Sequence, residues 1–123
     1  MKIIDFYIGF EGEPEIVLIS RDEIGNDIVR LKIWIGYFDS IMELIPVDKV
    51  KRGEGVLSHY HKHTGWYDDG IWQCEKIEDW ESQLNSINLE KLSDNTVKLV
   101  FNEILKLILE CKECDLQLFF LYD

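Results

Sequence analysis

A chain of 123 residues, 46% apolar and 12% aromatic, has the hydrophobic mass for one core and too little length for two. Its 24 acidic residues outnumber 13 basic ones and leave a net charge of −11, which repels nucleic acid and anionic membrane surfaces and draws in basic proteins. The expected partner is therefore neither nucleic acid nor membrane.

The opening Met1-Lys2-Ile3-Ile4-Asp5 lacks the uninterrupted apolar core and small-residue cleavage site of a signal peptide, so a cytoplasmic chain is expected. Residues 2–10, rich in Ile, Phe and Tyr, read as a strand. Residues 15–20 contain Ile16-Val17-Leu18-Ile19 and read as a second. Residues 28–37 alternate Ile28, Arg30 and Lys32 against Val29, Leu31, Ile33 and Ile35, the period of a third. Turn chemistry at residues 11–14 and 22–27 keeps the connections short, which favours an antiparallel meander. Residues 40–50 are ambiguous between a short helix and a strand, with Pro46 opposing a long helix.

Residues 51–76 read as irregular or loosely stranded, punctuated by Gly53, Gly55, Gly65 and Gly70. The period then changes. Ile77, Trp80, Leu84 and Ile87 recur at three to four residues, predicting an amphipathic helix over residues 78–87 with Glu78, Asp79 and Glu81 near its positive end. Val97, Val100, Phe101, Ile104, Leu105 and Ile108 form the stripe of a second helix, widened by Leu107 and Leu109 and capped by Ser93 or Asp94. Residues 116–122 close the chain as an apolar, aromatic strand. The predicted fold is α+β: one domain, a mostly antiparallel sheet of N-terminal strands plus the C-terminal strand, packed against two helices from the C-terminal half.

Several candidate sites compete. His59, His61 and His63 fall at every second position, so in an extended chain their rings share one face and are able to hold zinc with an open position for a hydrolytic water. No HExxH or comparable pairing accompanies them, and a polar strand or loop face that happens to be histidine explains the pattern as well. Cys111 and Cys114 form a lone CxxC at a helix end. A redox pair belongs at a helix start, where the positive end lowers a thiol pKa, so these two are expected to pack the helix terminus. With Cys74 they make an odd number, expected to be free thiols in a reducing compartment. The acidic runs, such as Glu11, Glu13 and Glu15, read as a solvated face, and the sequence holds no phosphate-binding glycine loop or serine-nucleophile elbow. Neither an enzyme nor a cofactor or metal site is expected.

The remaining stretch, Gly65-Trp66-Tyr67-Asp68-Asp69-Gly70-Ile71-Trp72, continues through Glu75, Glu78, Asp79 and Glu81. Residues 64–90 hold seven acids, one base and three of the four tryptophans. Aromatic anchors ringed by carboxylates suit an interface with a basic protein. Core packing competes for the aromatics: one of Trp66 and Trp72, together with Trp80, is expected inside. A plain solubilising surface competes for the acids.

A small acidic α+β chain that opens with strands, then runs through "WQCEKIEDWESQLNSI", an apolar helix "VKLVFNEILKLILE" and a final "LQLFFLYD", resembles immunity proteins of bacterial polymorphic-toxin and contact-dependent growth inhibition systems. The likeness covers residues 64–123 and rests on pattern and order. It implies a cytosolic protein that binds one cognate toxin domain and covers its active site or substrate channel. A nuclease toxin is basic, and an acidic inhibitor fits the same positive surface. The expected contact residues are Trp66, Tyr67, Asp68, Asp69, Trp72, Glu75, Glu78, Asp79 and Glu81. The competing expectation is a small metal-binding protein or metal-dependent hydrolase built on His59, His61 and His63.

Overall fold

The computed structural model describes residues 1–46, 56 and 71–122. Five strands, β1 (Lys2–Phe6), β2 (Glu15–Arg21), β3 (Asp27–Trp34), β4 (Ile71–Cys74) and β5 (Gln117–Tyr122), make one sheet in the order β1-β3-β2-β5-β4. Three α-helices among the described residues complete the α+β fold: α1 (Ile35–Met42), α2 (Ile77–Asn85) and α3 (Asn95–Cys114). The sheet is mostly antiparallel, as expected from the sequence, and the C-terminal strand returns to it between β2 and β4.

The expected meander does not form. β1 runs parallel to β3, from Lys2 opposite Val29 to Phe6 opposite Ile33, and β3 separates it from β2. The cause lies in residues 7–14. Asp5 Oδ1 accepts the Tyr7 and Ile8 amides at 2.7 and 3.2 Å, ending β1 early, and Gly9 and Gly12 turn the chain at φ 97° and 93°. That connection is long enough to cross the end of β3 and span two strand spacings, about 10 Å. The β2–β3 hairpin does use the predicted turn: Asp22 Oδ1 accepts the Ile24 and Asn26 amides, and Gly25 takes φ 95°.

Strand alternation sorts the sheet into two faces. Ile16 and Leu18 of β2, Val29, Leu31 and Ile33 of β3, Leu118 and Phe120 of β5 and Cys74 of β4 enter the same hydrophobic cluster as the helices. Arg30 and Lys32, with Val17, Ile19, Arg21, Phe119 and Leu121, lie on the opposite face. No described helix covers that second face, although Val17 and Ile19 are themselves buried.

The third predicted strand is cut short. The chain leaves it at Trp34 (φ −60°, ψ 134°), and Ile35, Gly36 and Tyr37 begin α1. From there Phe38, Ile41, Met42 and Ile45 recur at helical spacing and are all buried, which outweighs the residual alternation at Ile33 and Ile35. α3 follows its apolar stripe: Val97, Val100, Phe101, Ile104, Leu107, Ile108 and Cys111 are buried. Asp94 caps it, accepting the Thr96 and Val97 amides at 2.7 and 3.2 Å, and Asp115 ends it in the left-handed region at φ 56° while the Leu116 amide reaches back to the Cys111 carbonyl. Four rings meet at the centre of the core. Phe120 stacks on Trp72 (5.6 Å between centroids, 6° between planes) and takes Trp80 (5.0 Å) and Phe38 (6.4 Å) edge-on.

Candidate functional site

The acidic segment begins where β4 runs into α2. Trp72 points to the core side of β4 and packs half-buried on Phe120, and Trp80 is fully buried. Glu75 and Glu78 are exposed, while Asp79 and Glu81 are half-buried. Glu78 and Asp79 occupy the first turn of α2, which has no side-chain cap, so their charge offsets the positive helix end. Glu81 is already engaged: it accepts a hydrogen bond from Lys112 Nζ at 2.7 Å, which ties α2 to the last turn of α3 and holds the Lys112 ammonium above the usual lysine range. Of the predicted contact residues, Glu75 and Glu78 thus stand at the surface beside a tryptophan committed to packing. Trp66, Tyr67, Asp68 and Asp69 lie outside the described residues, as do His59, His61 and His63.

The chain's cations are not spread evenly. Arg21 and Arg30 both grip Asp27 at the hairpin end, Arg21 Nε at 2.6 Å and Arg30 Nη2 at 2.9 Å. Lys32 sits between Asp5 (3.8 Å) and Glu15 (4.0 Å), and the Arg21 guanidinium lies 4.8 Å from the centroid of the Phe119 ring. On this sheet face charge is locally balanced, so the acidic excess is expressed elsewhere. The Arg21 hydrogen bond foremost, then that from Arg30 and the two positive charges, hold the Asp27 carboxyl below its ordinary value against the opposing effect of burial. A depressed carboxyl pKa stabilises the fold above the unfolded value near 4, and that stabilisation is lost as pH falls through the folded value. The urea midpoint of Asp27→Asn should therefore lie below that of the parent at neutral pH, with the gap closing in acid; a gap unchanged down to about pH 2 would refute the ion-pair account.

Two of the three cysteines are buried. Burial pushes the Cys74 and Cys111 thiols up to about 12, whereas Cys114 is exposed at the end of α3. A disulfide reagent at about pH 8 should modify one thiol per native chain rapidly, Cys114, and the other two at the rate of unfolding. Rapid modification of all three, read by mass spectrometry, would contradict this burial.

A second aromatic group was not legible as a site. Phe10, from the β1–β2 connection, stacks on Trp34 (4.2 Å, 4°), and both turn their edges to Tyr37 at 5.5 and 5.1 Å. Gly36 makes this possible, since a Cβ there would lie 2.3 Å from the Trp34 ring. The group borders a cavity of about 340 Å³ between α1 and the start of α3, whose wall includes Tyr37, Glu43, Leu44, Lys91 and Asp94. Trp34 and Tyr37 three residues apart, with glycine between them, were the available signal. The partners from residues 91–97 come from a distant part of the chain.

Among the described residues no group of histidine, cysteine and carboxylate side chains is arranged to hold a metal ion. None of their helices is long and apolar enough to cross a membrane. The chain matches no protein-family model, no curated protein and no solved structure.

Proposed function

We propose that this chain is a cytoplasmic immunity protein that neutralises a basic toxin domain, such as a nuclease, by binding and not by catalysis. The observation that carries the reading is the distribution of charge. A net charge of −11 is left over after the sheet-face cations are matched to Asp5, Glu15 and Asp27, and Glu75 and Glu78 stand exposed where β4 meets α2. Such a surface accelerates encounter with a positively charged partner and repels polyanions. An inhibitor that competes with nucleic acid for a basic groove needs both properties.

The contact surface in this reading comprises Glu75 and Glu78, continued by Trp66, Tyr67, Asp68 and Asp69 from the adjoining segment. Trp72, Asp79 and Glu81 support it from below: Trp72 through Phe120, and Glu81 through Lys112. The supporting shell matters because an interface held rigid before binding loses less conformational entropy on association.

The deciding experiment is capture of the tagged chain from its native cells, with co-purifying polypeptides and bound metal read on one sample by mass spectrometry. The expected result is one basic polypeptide in stoichiometric amount and no metal. A chain loaded with zinc or iron and lacking a partner would overturn the proposal in favour of metal chemistry at His59, His61 and His63.

A further inference from the structure

The cavity between α1 and the start of α3 is separate from the acidic surface of α2 and does not depend on the function proposed for it. Its volume, about 340 Å³, lies at the lower end of the range of small-ligand sites. Tyr37 contributes an aromatic wall, and Leu44 and Val97 contribute aliphatic ones. The Tyr37 ring stands nearly perpendicular to both rings of the Phe10–Trp34 stack and packs against them, which holds it in place.

Electrostatics choose the sign of the occupant. The negative end of α1 and the positive end of α3 both meet at the cavity and largely offset each other. Side chains then decide, with Glu43 and Asp94 set against Lys91. At the start of α3 an anion would have to compete with Asp94, whose Oδ1 already accepts the Thr96 and Val97 amides. The overall charge of −11 repels it as well. Walls of ring and aliphatic carbon are poor ligands for an inorganic cation, whereas a tyrosine face and a carboxylate together suit an organic one.

We propose that this cavity binds an organic cation: a guanidinium or alkylammonium on an apolar stem, as carried by arginine and lysine side chains. The stem packs on Leu44, Val97 and the Tyr37 ring, and the charged head pairs with Glu43 and with Asp94 Oδ2, which makes no hydrogen bond to the described residues.

The test is an amide chemical-shift titration of the intact chain with N-acetylarginine methylamide, and with its citrulline counterpart as the uncharged isostere. Saturable shifts confined to residues 34–44 and 91–97 are expected, with the citrulline compound binding about tenfold more weakly. Glu43→Gln changes an exposed side chain and should weaken the arginine compound while leaving the unfolding midpoint in place. Tyr37→Leu, which keeps apolar bulk but removes the ring face, should weaken it further. Equal binding of the citrulline compound, retention of affinity in both variants, or shifts spread over the α2 surface would each overturn the proposal. Repeating the titration with arginine flanked by glycines separates the sources: tighter binding assigns the cation to a polypeptide, equal binding to a small molecule.

Discussion

Phe120→Ala is expected to lower the unfolding free energy by about 3–5 kcal/mol. Phe120 is fully buried on β5 opposite Leu18 and Trp72, and it touches the rings of Trp72, Trp80 and Phe38, which come from three other elements. Removing the ring leaves a cavity that none of these elements can fill without breaking strand register or moving a helix. Domains of this kind are stable by about 5–15 kcal/mol, so the variant sits near the edge of folding. Equilibrium urea unfolding followed by tryptophan fluorescence reads the loss as a lower midpoint at unchanged slope. Phe120→Leu, which keeps most of the volume, should cost less than about 2 kcal/mol. Equal costs for the two variants would show that ring packing is not what Phe120 supplies.

Reversing Glu75 and Glu78 together to lysine should slow association with the proposed basic partner by about 10–100-fold at low salt. The double change moves the net charge from −11 to −7 and places two positive charges where the proposed contact surface is most exposed. The difference should shrink as salt shortens the Debye length to about 8 Å at physiological ionic strength. Lysine in the first turn of α2 opposes the helix dipole, but that costs only about 0.3–1 kcal/mol, too little to unfold the chain. Stopped-flow association at two salt concentrations, with circular dichroism as the folding control, makes the comparison. An unchanged association rate would move the proposed contact surface away from α2 and leave the proposed inhibitor role to the capture experiment.

The helices of the second half were legible because each is long enough to show its period. Val97 to Ile108 repeats the buried stripe three times, and the cap was legible as Ser93 or Asp94, of which the structure uses Asp94. α1 was harder. Ile33 and Ile35 continue a strand pattern into a segment that is helical, and what decides against the strand is the burial of Phe38, Ile41 and Met42 on a shared face with α3 and the sheet. Alternation over so few residues carries too little information to outvote that packing.

For the candidate site, the sequence placed carboxylates and tryptophans together but did not separate their tasks. Trp80 was expected inside and Trp72 read as a possible anchor, yet both are core-facing, because β4 pairs with β5 and brings Trp72 to Phe120 beside Trp80. Glu78 and Glu81 lie on one helix at neighbouring positions, and the reach of Lys112 across from α3 engages one and leaves the other exposed. Such distinctions depend on contacts between residues about thirty to fifty positions apart, which local pattern does not encode.

By itself the sequence determined the composition-driven properties: an acidic chain with one core, strands followed by helices, and a final strand. These follow from periodicity, capping chemistry and charge, which act over a few residues. Tertiary structure alone decided that β1 lies parallel to β3, that Phe10, Trp34 and Tyr37 gather over Gly36, and that a cavity opens between α1 and α3. Each of these is a choice among arrangements that satisfy the same local pattern, and the choice is made by which surfaces pack densely once the chain has closed on itself.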